Sequence, residues 1–166
     1  KINFNQQSPY QNLMVSGHFQ QSYPHDSPNL KLMEISDEMC KRLLHHEGLY
    51  YPLGLGPHGL VSEALLLHMK SPAIHGALNM IYRYGITEDE AYAQKVYPYL
   101  RGVADFWEKD LVCRDGVYHV VGDGMHERTD GNIRDNGVPE DPVNSLGYLK
   151  TFFTWMPRIS EALDLD

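Results

Sequence analysis

The sequence has few cysteines and no motif that pairs them. Cys40 and Cys113 are the only two among 166 residues, and neither belongs to a CxxC or CxxxC motif. Each falls in a segment whose pattern predicts an amphipathic helix. We therefore predict two small buried side chains, and not a disulfide or a zinc pair.

Basic clusters and long apolar runs are also missing. The formal net charge is −8 and the lysines and arginines do not cluster, which argues against nucleic acid or an anionic membrane as the partner and favours a neutral ligand. No apolar run approaches the roughly 18–20 residues of a transmembrane helix. The chain starts at Lys1 without a signal peptide, so we expect a processed or excised piece whose targeting segment, if any, lies elsewhere.

Several motifs that identify enzyme classes are absent. Without GxSxG or GxxxxGKS/T, the hydrolase-elbow and NTPase hypotheses have no support. Residues 54–59 (GLGPHG) match GxGxxG, but no predicted helix starts directly after them, so the dinucleotide-binding hypothesis has no support either. There are nine histidines but no HExxH, and the adjacent residues His45, His46 and Glu47 cannot share one helix face. We expect neither a metal ion nor a cofactor.

A serine or aspartate followed by proline predicts four helix starts. The oxygen side chain can accept from free N–H groups of the first turn, where the missing N–H of proline is harmless. Thr87 and Glu90 form a capping box that predicts a fifth start. The four pairs are Ser8-Pro9, Ser27-Pro28, Ser71-Pro72 and Asp141-Pro142.

Charge alternates along the predicted helices. Those starting at residues 9, 72 and 142 carry almost no charge, which predicts burial nearly all round. The two helices between them combine an apolar stripe with a charged face, and Pro98 should kink or split the second. This order predicts one all-α domain over residues 1–166, a toroid of helical hairpins with buried inner helices; a simple bundle is the alternative. The stripes are Leu32, Ile35, Met39 and Leu43, then Ala93, Val96, Leu100, Val103, Trp107 and Leu111.

Two long connections precede the second and third buried helices. Residues 48–70 and 113–140 exceed ordinary loop lengths, which is typical of functional or disordered segments. The second contains a strand-like stretch that predicts a short β-hairpin near residues 116–122. In a hairpin toroid both connections, and the opening segment, lead into inner helices. We expect them to meet at one end of the ring and to form the site there.

The stretch 122–131 has the polar residues that glycosidic bond cleavage requires. That reaction uses a protonated carboxylic acid at the leaving oxygen, and a second carboxylate that activates water or attacks the sugar. Glu127 is the candidate acid, since a half-buried, aromatic-lined pocket would raise its pKa. A surface ion pair of Glu127 with Arg128 or His126 is the alternative.

Other polar and aromatic residues could complete such a site. Asp123 and Asp130 are rival acids, although aspartates beside glycine are typical of turns. Asn3 and Asn5, two apart in chain that we expect to be extended, could jointly hold a water molecule or sugar hydroxyls, or could cap backbone groups. The aromatic residues that could stack on a sugar are Tyr10, Tyr50, Tyr51, Trp107 and Trp155, of which the two tryptophans fit core positions better.

Three stretches together resemble the catalytic domain of family 95 glycoside hydrolases. They are residues 2–10 (INFNQQSPY), residues 91–111 with YPYL and ADFWE, and residues 144–147 (NSLG). The family's members are (α/α)6-barrel enzymes that cleave α-L-fucosides and α-L-galactosides with inversion. The resemblance implies an inverting bacterial glycosidase that is α-L-fucosidase- or α-L-galactosidase-like. Because typical members end the first stretch in Asn-Tyr-Trp, we expect a related subgroup and not a true fucosidase.

The resemblance also implies roles for individual residues. In the family an Asn-x-Asn pair helps to activate the attacking water, and a glutamate in a loop before a later inner helix is the general acid. These roles would fall on Asn3, Asn5 and Glu127. The residues expected to contact an oligosaccharide or glycoside substrate are Tyr10, Tyr51, His58, His126 and Arg128.

The chain covers only part of such a barrel. Six hairpins need about twice this length, so we expect the N-terminal half, about two and a half hairpins. The second catalytic carboxylate of the family comes from a later hairpin, so the isolated chain should be inactive. Exposed edges of an incomplete ring would favour self-association. The expected location is periplasmic or extracellular.

Two further functions stay open. A non-catalytic carbohydrate-binding or scaffold module would keep the cleft and use Glu127 only for hydrogen bonding. A polysaccharide lyase, which α/α toroids also host, would need a tyrosine or histidine base near an arginine. His58, Tyr51 and Arg128 could fill those roles.

Overall fold

The computed structural model describes residues 4–56, 59–60, 68–124 and 140–165, and this part of the chain is mostly helical. The all-α class predicted from the sequence is confirmed. Two antiparallel pairs of short strands accompany the helices: β1 (Leu55–Gly56) with β2 (Gly59–Leu60), and β3 (Val112–Arg114) with β4 (Val117–His119). The α-helices of the described ranges are α1 (Phe4–Val15), α2 (Tyr23–Lys31), α3 (Met33–Leu44), α4 (Pro72–Thr87), α5 (Glu90–Asp110) and α6 (Val143–Ala162).

Helix α4 lies at the centre of the fold. It packs against α1, α2, α5 and α6. Most of its residues are buried, and only Tyr82 and Ile86 are exposed along its length. Its one charged side chain, Arg83, donates to the backbone oxygen of Phe19 at 2.9 Å. The predicted burial of this helix on nearly all sides is confirmed.

Helix α5 buries the predicted apolar stripe against α4. Its five central members have no exposed surface. The helix is continuous through Pro98, so the expected split is wrong, and the expected kink stays a prediction. Proline removes one backbone hydrogen bond, and the buried side chains on either side of it, Val96 and Tyr99, hold the two halves in place. The five are Ala93, Val96, Leu100, Val103 and Trp107.

Two of the predicted helix starts are wrong. The first two helices begin at Phe4 and Tyr23, so Pro9 and Pro28, which were expected at starts, lie inside them. Pro24 occupies the tolerated first-turn position of α2 instead. In both helices buried polar residues pack on α4 or its neighbours, and this packing outweighs one lost backbone hydrogen bond per proline.

The starts at residues 72 and 142 are confirmed, with different caps. Ser71 precedes α4 without a capping side-chain hydrogen bond, and α6 follows Pro142 directly. The Thr87 capping box is wrong, because Thr87 is the last residue of α4 and its hydroxyl donates to a carbonyl of its own helix. Asp89 caps α5 instead, accepting from the Tyr92 N–H at 3.0 Å.

Helices α1 and α6 are not buried on all sides. Val15 is 83% exposed and Val143 is 76% exposed. In the described residues only α4 has helices of this charge-poor kind on both flanks. Helices α1 and α6 therefore each keep one face at the surface, and the exposed face of α6 carries Lys150, Arg158 and Glu161. The helix predicted after Pro28 also differs, because it breaks at Leu32, and Ile35 of its stripe is 43% exposed.

The remaining predictions from the sequence concern the β-hairpin and the two cysteines. The predicted hairpin is present, shifted to β3 and β4, and its turn residues Asp115 and Gly116 both have positive φ (52° and 79°), as a two-residue turn matching the strand twist requires. Cys40 is fully buried as predicted. Cys113 is exposed on β3, so its assignment to a buried helix face is wrong. No helix of the described ranges combines the length and apolar character needed to cross a bilayer.

Gly48 places the segment after α3 directly on α5. Its φ is +119°, and an added Cβ would lie 2.4 Å from the Phe106 Cα. The Gly48 N–H donates to the Asp37 carboxylate at 2.9 Å, and the next residue bonds the Gly102 carbonyl. The close packing of Gly48 holds the segment after α3 against α5, and from there the chain continues to α4.

Gly48→Ala should therefore destabilise the protein far more than Gly17→Ala. Gly17 also has a positive φ, +76°, but an added Cβ would meet no atom within 4 Å, so its cost is about 1 kcal/mol of backbone strain. At Gly48 the same strain combines with a backbone clash, for which we expect about 3 kcal/mol or more. Urea unfolding of both variants measures the difference. Equal losses of stability would contradict the close contact.

Candidate functional site

Helices α1 and α4 run in the same direction. The Asn79 side chain, midway along α4, donates to the backbone oxygen of Gln7, in the first half of α1, at 3.1 Å. Near their ends Met14 and Ile86 line one groove. Because the contacts advance together along both helices, the two starts lie at the same end.

Helix α6 runs parallel to α4 on the other side. The rings of His75 and Tyr148 stack near the two beginnings, with centroids 4.7 Å apart and planes inclined by 16°. Further along, an added Cβ at Gly85 would lie 2.9 Å from the Trp155 ring. The starts of α1, α4 and α6 therefore share one end of the molecule, which we call the mouth. The alternation of charge-poor helices predicted this common end.

Most of the predicted site residues lie outside the described residues. These are Glu127, His126 and Arg128 within 125–139, Asn3 within 1–3, and His58 within 57–58. Their roles, and that of the rival acid Asp130, stay predictions.

The remaining predicted residues are described. Asn5 is an exposed residue in the first turn of α1, so it is helical and not extended. The ring of Tyr10, further along α1, lies 5.4 Å from that of His25. Tyr51 has no exposed surface, and its hydroxyl donates to the Asn29 carbonyl. Tyr50, Trp107 and the half-buried Trp155 belong to the core or pack against it.

The two ends of the segment that contains Glu127 are joined at its stem. Val121 and Glu140 form an antiparallel bridge. The Val120 N–H donates to the Asp141 carboxylate at 2.8 Å, and the Asp141 N–H donates to the Val120 carbonyl at 2.8 Å. His119 bonds the same carboxylate, also at 2.8 Å, and lowers the pKa of Asp141. The stem leads directly into α6, so the segment starts and ends beside the mouth.

Asp123 is the central polar residue of the mouth, although the sequence favoured a turn role for it. Its carboxylate is fully buried and accepts from the Lys70 N–H at 2.7 Å and from the Ser145 hydroxyl at 2.5 Å. Burial raises its pKa to about 6, against the hydrogen bonds from Ser145 and Lys70. Gly124 donates to the His68 carbonyl at 2.6 Å. Asp123 therefore joins the segment before α4, the stem and the first turn of α6.

Lys70 extends this network to α5. Its ammonium donates to both carboxylate oxygens of Asp110, at 2.8 and 2.9 Å, and to the Val121 carbonyl at 3.0 Å. The side chains of Lys70 and Asp110 are only 12% and 6% exposed. A buried pair of this kind is costly to break, since one charge would remain without its partner. The pair fixes the position of residue 70 before α4.

Uncharged polar and aromatic groups occupy the first turns of α4 and α6. Besides the stacked His75 and Tyr148, both amide atoms of Asn144 are buried and lack a hydrogen-bond partner among the described residues. Burial raises the pKa of Tyr148, so its hydroxyl keeps its proton. A stacked ring face with amide groups nearby is suited to a neutral, hydroxyl-rich ligand. In the sequence, the one feature that indicated a place for these residues at the mouth was their position directly after two predicted helix starts.

One group in the described ranges has the composition of a metal site. The ligand atoms of His119, Glu140 and Asp141 lie within 4.8 Å of one another. Their contacts already account for this proximity, because His119 pairs with Asp141 and Arg114 pairs with Glu140. The group holds the stem together through its own ion pairs.

Replacing Asp123 by asparagine should change how stability depends on pH. A carboxyl whose folded pKa is raised stabilises the fold fully below its unfolded pKa of 3.8, and this contribution is lost as the pH rises through about 6. Relative to wild type, Asp123→Asn should therefore gain about 3 kcal/mol across that interval. Urea unfolding at several pH values measures the slope. Asp115→Asn, at an exposed turn, is the control, and parallel curves for Asp123→Asn and wild type would contradict the burial argument.

The comparisons with known proteins found no relative of this chain. No protein-family model matches the chain, and neither a curated protein nor a solved structure matches it. The resemblance to family 95 glycoside hydrolases stays a hypothesis. Any assignment of function therefore rests on the chain's own residues and their positions.

Proposed function

We propose that the chain is part of an α/α toroid that cleaves glycosidic bonds at the mouth. The observation that carries this proposal is the parallel course of α1, α4 and α6 with their starts at one end. Helices α2, α3 and α5 alternate with them along the chain, and of these α3 and α5 are amphipathic. Consecutive helical hairpins with parallel inner members are the building plan of a hairpin toroid.

The segment 125–139 supplies the proposed acid, Glu127. Its stem is closed by the bridge between Val121 and Glu140, and Asp123 anchors its beginning to α4 and α6. A residue four positions after Asp123 can therefore reach the mouth but cannot travel far from it. General acid catalysis needs a carboxyl at the leaving oxygen, which is the role that this proposal gives to Glu127.

The other proposed groups approach from α1. Asn5 lies in the first turn of α1, at the mouth, and is exposed. With Asn3 it would position the attacking water, and the half-buried rings of the mouth would bind a sugar. An inverting reaction also needs a catalytic base, which the family analogy puts on a later hairpin. In this proposal the substrate is a neutral oligosaccharide or glycoside, and the location is periplasmic or extracellular.

The lyase alternative has less support. A lyase base must lose its proton near neutral pH, but burial raises the pKa of Tyr51 far above its ordinary value. The Tyr51 hydroxyl is also committed to the Asn29 carbonyl. The non-catalytic binding module keeps its place as the second candidate, because the polar and aromatic groups of the mouth would suit either function.

Glu127→Gln in the full-length protein should lower kcat for an aryl α-glycoside by roughly 10²–10⁴-fold, because glutamine cannot protonate the leaving oxygen. Binding of the substrate should change little. The loss should be much smaller for a glycosyl fluoride, whose leaving group needs little protonation. Steady-state kinetics with both substrates, and calorimetric titration for binding, measure these effects.

Glu90→Gln is the matched control, since Glu90 is exposed at the first turn of α5, at the opposite end of the molecule. It should retain wild-type kinetics. Wild-type protein that binds the glycoside but never turns it over would support the binding module. Unchanged turnover of both substrates in Glu127→Gln would remove Glu127 from the mechanism.

A further inference from the structure

Four buried polar side chains surround the junction of α1, α2 and α4. Gln7, His25 and Asn29 have no exposed surface, and Asn79 is 1% exposed. They come from three different helices. Buried amides and imidazoles normally have hydrogen-bond partners for all their polar atoms. Several polar atoms of these four residues lack such a partner among the described residues, which requires an explanation.

Contacts connect the four residues into a ring. Asn79 bonds the Gln7 backbone at 3.1 Å, and Asn29 bonds the His25 backbone at 3.0 Å. Tyr10, one helical turn after Gln7, lies against His25 with ring centroids 5.4 Å apart. Gly76, nearly one turn before Asn79, lies beside Asn29, whose amide nitrogen would be 3.4 Å from an added Cβ. The side chains thus face a common space between the helices.

The side-chain amides of Asn29 and Asn79 are oriented so that their oxygen atoms face that space. The amide nitrogens of Asn29 and Asn79 are used by the backbone carbonyls of His25 and Gln7. Their side-chain oxygens have no hydrogen-bond partner among the described residues, and the same is true of both polar atoms of the Gln7 amide.

His25 adds a further acceptor. Its Nδ1 lies 2.9 Å from the Asp26 carboxylate, which assigns the proton of the neutral ring to Nδ1. Nε2 is therefore an acceptor, and it too is buried without a partner in the described ranges. The ring then offers the acceptors Gln7 Oε1, His25 Nε2, Asn29 Oδ1 and Asn79 Oδ1, against the single donor Gln7 Nε2.

We propose that this ring of side chains binds a small monovalent cation, either ammonium or potassium. A water molecule donates only two hydrogen bonds, so it suits a space with excess acceptors less well than a species that only donates or only coordinates. Neutral carbonyl oxygens are the ligands that bind potassium in selective sites, whereas Ca²⁺ sites are rich in carboxylates. The one carboxylate nearby, on Asp26, is already used by His25, Tyr92 and Arg83.

The thermal unfolding midpoint of the protein tests this assignment. We expect Tm to be several degrees higher in potassium or ammonium chloride than in tetramethylammonium chloride at equal ionic strength, because a ligand that binds only the folded state stabilises it. Tetramethylammonium has the same charge but is too large and lacks N–H donors. A higher Tm in ammonium than in potassium would identify hydrogen-bond donation as the main interaction. Equal Tm values in these two salts would show that the charge and size of the cation determine binding.

Asn79→Leu should abolish the difference between the salts. It removes an acceptor at nearly constant volume, and the difference between salts is independent of any loss in basal stability. Asn12→Leu, the same change at an exposed position on α1, should keep the wild-type difference. Thallium(I), which replaces both cations, should give an anomalous peak inside the ring in crystals. Equal Tm in all salts, or a salt difference that survives in Asn79→Leu, would overturn the proposal.

Discussion

Burial of α4 is the constraint on which the rest of the structure depends. A helix with apolar residues on nearly every side must have neighbours on every side, and α1, α2, α5 and α6 provide them. The connection to α5 is short, so those two helices are antiparallel, while α1 and α6 reach α4 through longer segments and run parallel to it. The direction of three helices, and with it the common end, follows from this packing.

Polar contacts fix the positions of the chain segments at that common end. Lys70 binds Asp110 at the end of α5, and Asp123 binds the backbone of Lys70 and the hydroxyl of Ser145. These bonds are buried, so each is stronger than at the surface and more costly to leave incomplete. They hold the chain before α4 and the stem before α6 in one position. The mouth is therefore a rigid frame.

The sequence predicted features that depend on local pattern. The stripe from Ala93 to Trp107, the uncharged α4 and the start at Ser71-Pro72 follow from periodicity and composition. The starts at Ser8-Pro9 and Ser27-Pro28 failed, because tertiary packing can keep a proline inside a helix and no local rule includes that energy. Cys113 was misplaced because β3 is only three residues long, too short to show a strand period.

The site was harder to predict than the fold. Asp123 lies beside two glycines, which is the pattern of a turn, and its burial depends on Lys70 and Ser145, 53 and 22 residues away. No single-sequence pattern reports such pairings. Glu127, Asn3 and His58 keep their predicted roles as hypotheses, and Asn5 keeps its position at the mouth although its chain is helical and not extended.

The stem formed by Val120, Val121, Glu140 and Asp141 has a consequence for the changes that this sequence can tolerate. Because the stem closes on itself, the segment between its ends can lengthen or shorten without moving α6. The entropy cost of a longer closed loop grows slowly, about 0.6 kcal/mol for each doubling of its length. Insertions at this place would therefore leave the helices beneath as they are.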